Sequence, residues 1–476
     1  MRLNLFICFF ISLFILQSCS DEDSFSVSSR HTLSFSADTI KLDTVFSNVP
    51  SSTRSFWVYN RSGVGLRLQN VRLEGGNQNG FRVNVNGSDL SSTTGFRTSD
   101  IELYRNDSIR VFVELTSPVN PTNDIRLLED QLTFTLESNK QQTVLLQAYT
   151  WNALSYTNLH ITTDSVLSST QPIIIYGGIK VDSTATLTIA RGTTLYFHAG
   201  AGIDVYGRLL VEGTPDAPVT LRGDRLDRMF EELPYNRVSG QWKGIRFYSS
   251  SYDNKLTHAD IHSTFDGIVA DSSDITRTKL TLNASSIHNC QGFGLSAANS
   301  KLTINNCVIS NTLKDCVRLD GGRVSLNNCT LAQFYPFDAA RGFALQLTAN
   351  RFPLESFSCV NTLITGYAAD VLAGDKGNKS LAFDYRFDHC ILRTPKVLTE
   401  DSLRYTNVMY ENPADTLHTG KKHFVQIDEK TFSYDFRLSN SSTAIDKANP
   451  VTAIPTDRNA IVRDSKPDIG AYEYKP

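Results

Sequence analysis

Four charged residues within seven positions have the types needed to cleave a uronic-acid polymer by elimination: Lys314, Asp315, Arg318 and Asp320. Elimination needs a Lys or Arg base, together with a positive charge that neutralises the uronate carboxylate. Ca²⁺ held by clustered carboxylates often supplies that charge. These four residues are the nearest match in the chain to such a set. Ca²⁺ is expected only if the chain is such a lyase, and we predict no other cofactor and no metal site.

Hydrolysis of a glycan would instead require several carboxylates on neighbouring parts of the fold. Four aspartates have the right chemistry for this role but are too scattered in sequence: Asp260, Asp266, Asp271 and Asp274. The chain also has no G-x-S-x-G, P-loop or H-E-x-x-H motif. Because charged residues of this kind usually coat a surface, the sequence favours a non-catalytic chain. A polysaccharide lyase or glycoside hydrolase acting on a charged polysaccharide is the alternative.

The segment GDRLDRMFEELPYN, residues 223–236, carries apolar residues at helical spacing. These are Leu226, Met229, Phe230 and Leu233. Asp224 fits an N-cap and Pro234 a stop, so we predict a short helix on the flank of the molecule. Alternatively, the segment walls a groove in which Tyr235, Arg237 and Trp242 contact a sugar. For Trp242 we favour the core, because buried aromatic residues dominate packing.

Six cysteines lie in the second half of the chain: Cys290, Cys307, Cys316, Cys329, Cys359 and Cys390. Cys307 and Cys329 follow the same local pattern, NNC then an apolar strand, and Cys390 resembles it. We expect an inward stack of small apolar side chains at these positions. An oxidising compartment would allow a disulfide such as Cys290 with Cys316, and the sequence does not decide whether it forms. No zinc-ligand spacing is present.

Internal repeats explain that pattern. KLTLNASSIHN, KLTINNCVISN and RVSLNNCTLAQ begin at Lys279, Lys301 and Arg323, with a constant offset of 22 residues. Weaker copies surround Ile261, Ile364 and Leu392. A repeat of this length buries its apolar side only by stacking on its neighbours, and it suffices for three short strands and three turns. We therefore predict a right-handed parallel β-helix over residues 155–420.

Asparagines at the corners of these repeats predict a ladder in turns of left-handed geometry, in which side-chain amides bond backbone groups. They are Asn305, Asn306, Asn327 and Asn328. A ligand-binding role for these residues is the less favoured interpretation.

Two stretches resemble surface lipoproteins with a β-helix, a broad class sometimes called choice-of-anchor β-helix proteins. One is GQWKGIRFYSSSYDNKLTHADIHSTFDGI, from Gly240 to Ile268, and the other runs from DFRLSNSSTAID to DRNAIVRDSKPDIGAYEY. The resemblance implies a pectate-lyase-like fold with a closing segment over residues 421–476. Most proteins of this class have no known reaction. The closing motif departs from the class at Asn459 and Ala460, where Gly is usual.

Residues 31–150 show short alternating segments separated by Gly, Asn, Asp and Ser, including SFWVYNRSG and SIRVFVELT. This spacing predicts an antiparallel β-sandwich. The order of the segments resembles the immunoglobulin-like modules found beside large extracellular bacterial domains. The expected fold class is therefore all-β, with an immunoglobulin-like sandwich followed by the β-helix.

Residues 1–18 have the layout of a secretory leader, since Arg2 precedes an apolar run that is shorter than a membrane-spanning helix. LQSC, ending at Cys19, resembles the lipobox of bacterial lipoproteins, which implies cleavage before Cys19 and lipid on its thiol. Residues 19–30 form an acidic linker, and its Ser20–Asp23 run resembles a surface-export signal of one Gram-negative group. We expect an outer-membrane protein that faces the cell exterior.

The formal charge of −3 and a pI near 6.3 give no general attraction to nucleic acid, so none is expected as a partner. The expected partners are the outer membrane, through lipid at Cys19, and an extracellular glycan or an envelope or host protein. The favoured function is that of a binding or structural surface lipoprotein recognising an extended polymer such as a glycan.

Overall fold

Alternating burial along the strands reproduces the two-residue period of the sequence, as in Ser108–Leu115, where every second side chain is buried. The computed structural model describes residues 24–476, and the chain divides into two compact units on either side of the Asn152–Ala153 bond. The leader, Cys19 and the Ser20–Asp23 run lie outside the described residues. Among the described residues, no helix reaches the length and apolarity that crossing a bilayer demands.

Strands of the first unit, in chain order, are β1 Ser34–Phe35, β2 Thr39–Phe46, β3 Arg54–Tyr59, β4 Leu66–Leu73, β5 Phe81–Val85, β6 Ser88–Asp89, β7 Arg97–Thr98, β8 Ile101–Leu103, β9 Ser108–Leu115, β10 Arg126–Leu136 and β11 Gln141–Trp151, with a 3₁₀ turn at Ser92–Thr94. They form two sheets, β1-β3-β9-β5-β6 and β2-β11-β10-β4-β7, with β8 beside β4. The two sheets share one apolar core, in which Phe134 contacts Phe35 and Phe56. One pair, β2 with β11, is parallel, whereas the sequence predicted antiparallel pairing throughout.

Strands of the second unit are β12 Leu154–Ile161, β13 Ser165–Leu167, β14 Ile173–Val181, β15 Thr186–Ala190, β16 Thr194–Phe197, β17 Ile203–Val205, β18 Arg208–Glu212, β19 Val219–Gly223, β20 Arg228–Phe230, β21 Leu233–Pro234, β22 Ile245–Phe247, β23 Asn254–Thr257, β24 Ala259–His262, β25 Ile268–Ala270, β26 Thr278–Asn283, β27 Ser286–Cys290, β28 Leu295–Asn305, β29 Val308–Thr312, β30 Val317–Asn327, β31 Thr330–Gln333, β32 Leu345–Thr348, β33 Leu354–Val360, β34 Leu363–Gly366, β35 Leu372–Asp375, β36 Phe383–Asp388, β37 Ile391–Leu392, β38 Tyr405–Thr406, β39 Met409–Tyr410, β40 Phe424–Asp428 and β41 Ser433–Leu438. Short 3₁₀ turns lie at Tyr235–Arg237, Glu400–Arg404 and Gly420–His423.

Successive coils of this unit stack in parallel on three faces. The first face runs β17-β22-β25-β28-β30-β32-β35, the second β15-β18-β23-β26-β28-β30-β33-β36-β38, and the third β16-β19-β24-β27-β29-β31-β34-β37-β39. The long strands β28 and β30 serve the first face with their first halves and the second face with their second halves. On the third face Ile287 pairs with Ile309, which pairs with Leu331, so the 22-residue offset of the sequence is confirmed as one coil.

The inward column of each face is apolar, and the columns merge into one continuous core along the coils. Cys307, Cys329 and Cys390 precede strand residues that align through the register of the third face, which confirms a stacked position. All six described cysteines are buried free thiols, so the disulfide between Cys290 and Cys316 does not form. Burial raises the pKa of the Cys290 and Cys316 thiols to about 12.

Corner asparagines form the predicted ladder. Asn306, Asn328 and Asn361 adopt left-handed backbone with φ of 50°, 49° and 51°. Asn361 Nδ2 donates to Asn327 Oδ1 at 3.1 Å, which links adjacent corners. The ladder also holds the closing segment, because Asn306 Nδ2 donates to the Thr456 carbonyl and Asn328 Oδ1 accepts the Ile454 N–H.

The prediction of a helix in residues 223–236 is wrong. The segment is a small antiparallel hairpin, β20 with β21, followed by a 3₁₀ turn at Tyr235–Arg237. Its apolar residues do not share a buried side, since Leu233 is buried whereas Met229 and Phe230 are exposed. Asp227 pins the hairpin instead: its carboxylate binds the Arg225 guanidinium through two bonds, and its carbonyl accepts the Tyr235 N–H. A helix this short needs tertiary burial of one side to form, which this arrangement does not provide.

The closing segment lies over the third face. Side chains of β40, β41 and residues 444–471 pack on Val308, Ala332, Leu363 and Ile391, whose side chains point outward from that face. A buried polar network fixes the chain end, with Arg463 bound to Glu473 at 3.1 Å. Ala460, in the closing segment, has a left-handed conformation with φ of 61°.

Candidate functional site

The first face of the coils carries a groove with a cavity volume of about 580 Å³. Register sets its floor, because Val269, Ser296 and Arg318 align in one column of β25, β28 and β30. A second column places Ala298 beside Asp320. The small side chains of Ser296 and Ala298 on β28 therefore leave space beside the larger Arg318 and Asp320 on β30.

One wall of the groove is the loop at Asn350–Phe352. Phe352 packs so closely on Gly321 that a Cβ there would lie 2.6 Å from the Phe352 Cβ. Gly321 also has φ of 77°, which favours glycine. This glycine thus lets β30 turn a corner while the loop stands against it.

Both carboxylates of the groove are paired with arginines. Asp320 Oδ2 accepts from Arg351 Nε at 2.9 Å, and its Oδ1 accepts the Asn350 N–H at 3.1 Å. Burial opposes ionisation of Asp320, but these hydrogen bonds and the Arg351 charge hold its pKa below the usual range. Asp271 meets Arg246 with nitrogen to oxygen distances of 3.1 and 3.2 Å. The groove therefore offers fixed donors and acceptors in pairs.

The structure brings the four residues proposed for elimination together only in part. Arg318 and Asp320 line the groove. Lys314 and Arg318 both stand over the Phe293 ring, at 4.9 and 5.2 Å from its centroid. Asp315 is buried and accepts the Phe343 N–H at 2.8 Å, so it holds a turn between coils.

The three residues considered for sugar contact are also dispersed. Trp242 is 2% exposed, stacks on Phe197 with ring centroids 4.1 Å apart, and donates to the His262 carbonyl. That position corrects the alternative in which Trp242 faces a ligand. Tyr235 packs under the Arg225 guanidinium at 3.9 Å, while Arg237 lines a cleft on the third face.

Sequence reasoning missed a polar cluster in that cleft. Asp260 Oδ1 accepts from Ser286 Oγ at 2.6 Å and from His288 Nε2 at 3.0 Å, and His262 stacks on His288. Burial alone would raise the pKa of Asp260, but His288, His262 and Ser286 keep it well below its usual range. Burial lowers the pKa of His262 to about 3, so this ring is neutral at pH 7. The repeats held the signal, since IHS at Ile261 and IHN at Ile287 place these histidines one above the other.

The four scattered aspartates stay apart. Asp260 lies on the third face and Asp271 in the first-face groove, while Asp266 accepts the Phe293 N–H and Asp274 the Thr276 N–H. Within residues 24–476, no three His, Cys, Asp or Glu side chains converge as a metal ion would require.

Comparison with family models matches residues 231–379 to a family described as a right-handed β-helix region. This part of the chain is a right-handed β-helix. The match begins in the hairpin before β22 and ends in the loop after β35, so it covers the coils that build the groove and the cleft.

Similar solved structures include the catalytic unit of the thermostable GH87 α-1,3-glucanase from Streptomyces thermodiastaticus strain HF3-3, 10% identical over 75% of this chain and 89% of that chain, with a TM-score of 0.23. Dex49A from Penicillium minioluteum is 9% identical over 77% and 82%, with a TM-score of 0.21. The Vibrio cholerae VesB protease is 12% identical over 25% of this chain, which spans 31% of that protease, with a TM-score of 0.17. No curated protein matches this chain.

Proposed function

We propose that this chain is a lipid-anchored surface protein whose β-helix binds an extended polymer, a glycan being the chemical class, along the first-face groove. The observation that carries the proposal is that the groove crosses successive coils while its carboxylates are occupied by arginines. Paired Asp and Arg side chains suit hydroxyl recognition, because they present acceptors and donors side by side.

The groove has the length for several units of a polymer. Its lining runs from Ser249, after β22, to Asn350, after β32, which spans five coils. With parallel strands about 4.8 Å apart, that distance is about 19 Å. A stacked solenoid thus offers an extended rather than a point-like binding surface.

The remaining parts of the proposal come from the sequence. Cys19 would carry the lipid, since several acyl chains anchor a protein stably where one does not. The linker predicted over residues 19–30 would be shorter than expected, because the Ser26 N–H donates to the Gly65 carbonyl and the Phe25 ring contacts Tyr104. The first unit would be an immunoglobulin-like spacer. The expected location is the outer membrane, with the protein facing the exterior.

A catalytic alternative rests on a specific observation, namely that Arg318 and Asp320 lie together in the groove. In that case the protein would be a lyase, or a glycoside hydrolase, acting on a charged polysaccharide. Ca²⁺ would then bind near Asp320 only if Arg351 moved away, because the guanidinium already neutralises that carboxylate.

One experiment separates the two functions. The purified full-length chain is incubated with a panel of uronate polysaccharides and neutral glucans. Binding, the ultraviolet absorbance of unsaturated ends and the number of reducing ends are followed. We expect saturable binding of a polymer without new absorbance. Arg318→Ala should weaken that binding about tenfold or more, whereas Arg323→Ala, on the same strand but on the second face, should leave it unchanged. New unsaturated ends or reducing ends would establish the enzyme instead.

A further inference from the structure

The groove on the first face contains an arginine whose charge is not balanced. Asp271, Asp320 and Arg351 are held in ion pairs. Within the part of the chain that the structure describes, the half-buried Arg318 makes neither an ion pair nor a side-chain hydrogen bond, and it stands over the Phe293 ring at 5.2 Å. A guanidinium has five N–H donors and no acceptor, so the ligand that suits Arg318 is an anion with acceptor oxygens.

Lys314 adds a second positive charge beside the first. Its Nζ lies 4.9 Å from the centroid of the same Phe293 ring, and among residues 24–476 it also has no ion-pair partner. Because both charges stand over one ring, they lie within about 10 Å of each other, which is about one Debye length at 0.1 M salt. The two charges repel each other in the free protein, and an anion bound beside them would relieve that repulsion.

Carboxylates at the same corner of the coils are bound to the backbone instead. Asp315 accepts the Phe343 N–H at 2.8 Å, and burial raises the pKa of Asp315 although the charges of Arg318 and Lys314 oppose this. Asp266 likewise accepts a backbone N–H at 2.8 Å. These carboxylates are therefore committed to other donors, and the two cations stay available to a ligand.

Hydroxyl groups line the groove next to this charge. Ser249, Ser272 and Ser296 lie in the lining, and their side chains make no hydrogen bond to any described residue. Ser296 pairs with Arg318 in the register of the first face, so the hydroxyl and the guanidinium stand on adjacent strands about 4.8 Å apart. Hydroxyl groups both donate and accept, which suits the hydroxyl groups of a sugar.

A ligand that uses all of these groups carries anionic groups and hydroxyl groups along one extended chain. We propose that the polymer bound in the groove is an acidic glycan, whose carboxylate or sulfate group binds Arg318 and is attracted by Lys314. This inference rests on the function proposed for the groove and adds the chemical class of the polymer. The planar fork of Arg318 matches the paired oxygens of either anion.

The test uses the full-length chain and pairs of polymers that differ only in charge. Polygalacturonate is compared with its fully methyl-esterified form, and dextran sulfate with dextran, by calorimetry at low and high salt. We expect at least one acidic polymer to bind about tenfold or more tightly than its neutral counterpart, with an advantage that falls as salt rises. Preference for polygalacturonate assigns the site to a carboxylate, and preference for dextran sulfate assigns it to a sulfate ester.

Substitutions locate the charge that is responsible. Arg318→Ala should weaken binding of the acidic polymer about tenfold or more, and Arg318→Lys should weaken it less, because lysine keeps the charge but loses the planar fork. Lys314→Ala should weaken it about threefold, as expected for an exposed charge. The matched controls are Arg323→Ala and Lys301→Ala, which remove the same charges from the second face and should leave binding unchanged. Thermal melts check that each variant is folded.

Three outcomes overturn the inference. Charged and neutral polymers of a pair bind equally, Arg318→Ala leaves binding of the acidic polymer unchanged, or duplex DNA, which is a polyanion without free hydroxyl groups along its backbone, binds as tightly as the acidic glycan.

One further variant separates this inference from the proposed function. Ser296→Trp places a large side chain on the floor of the groove, so it should abolish binding of any polymer there, charged or neutral. If a neutral polymer binds as tightly as its acidic counterpart and Ser296→Trp abolishes both, the proposed function stands and the acidic class is wrong. If no polymer binds to the wild-type chain, the proposed function itself fails.

Discussion

A single left-handed alanine marks a weak point in the closing segment. Ala460 has φ of 61°, a conformation that costs an L-residue with a Cβ about 1 kcal/mol relative to glycine. Ala460→Gly should therefore raise the free energy of unfolding of the second unit by up to about 1 kcal/mol, despite the greater freedom of glycine in the unfolded chain. Denaturant unfolding monitored by circular dichroism measures this.

The matched control is Ala453→Gly, in the same segment but without positive φ. There the added freedom of the unfolded chain should lower the free energy of unfolding by about 0.5–1 kcal/mol. If both glycine variants change stability in the same direction, backbone strain at Ala460 is not the reason.

The buried Lys279 predicts a specific pH dependence. Its Nζ donates to the Tyr248 carbonyl at 2.7 Å, and burial lowers its pKa from 10.5 to about 8. Below pH 8 both the folded and the unfolded state hold the proton. Between pH 8 and pH 10.5 the unfolded state binds more protons, so this residue makes the free energy of unfolding rise with pH. The rise amounts to at most about 3 kcal/mol.

The measurement compares wild type with Lys279→Met across pH 7 to 10.5. Buried cysteines and tyrosines with raised pKa values act in the opposite direction, but they are common to both proteins and cancel in the difference. The difference in free energy of unfolding should change by 1–3 kcal/mol in favour of wild type as pH rises. A difference that stays constant would mean that Lys279 titrates normally.

For single residues, the sequence predicted where a side chain lies in the coils better than it predicted which group that side chain binds. The 22-residue offset placed Cys307 above Cys329 and the asparagines at corners, because stacking requires equivalent residues to repeat. It did not reveal that Asp320 pairs with Arg351 or that Asp315 binds a backbone N–H, since those partners lie in loops of unequal length. The pairing of His262 with His288 was readable from the repeats and was missed because neither sits in a known motif.

Among the elements, the closing segment depends on one buried guanidinium. Arg463 Nη1 binds Glu473 and the Asp468 carbonyl, and its Nη2 binds the Gly470 carbonyl and Asn306 Oδ1. Arg463→Met leaves the Glu473 carboxylate buried without its counter-ion, which should cost about 3–5 kcal/mol. Hydrogen exchange should lose protection first in residues 444–474.

The control for this variant is Arg437→Met, because Arg437 pairs with Asp435 on the surface, where its side chain is 60% exposed. An exposed pair contributes at most about 1 kcal/mol, so exchange in the closing segment should stay nearly as in wild type. Equal loss of protection in both variants would show that the buried network does not hold the segment.

The insert before β22 shows where element prediction fails. Helical spacing in residues 223–236 was real, yet a 14-residue stretch between two strands is decided by its contacts. Asp227 and Arg225 close a hairpin there, and of the four apolar residues at helical spacing only Leu233 is buried. Periodicity predicts an element when one side is buried, and here tertiary contacts overrode it.

On the scale of the whole molecule, the pattern of the sequence separated two kinds of β structure. The two-residue alternation before Trp151 gave sheets joined by turns, and the longer repeat after it gave stacked coils, as the pairing of strands confirms. The sequence could not decide between a chain that cleaves a polymer and one that binds it, because that depends on which side chains of distant coils converge. The repeats also did not predict that the closing segment covers the third face, because its strands β40 and β41 pair with each other and not with a coil.

Two separate apolar cores predict two unfolding events. Among the described residues, the core of the first unit draws on residues 33–148 and the coil core on residues 161–392, with no member in common. Phe134→Ala should therefore lower only the melting temperature of the first unit, by a loss of about 3–5 kcal/mol, and Leu331→Ala only that of the second, by about 2–5 kcal/mol. Both side chains are fully buried. Differential scanning calorimetry of the full-length chain should resolve two transitions that respond separately to the two variants. A single transition, or a shift of both transitions in either variant, would mean that the units unfold as one cooperative body.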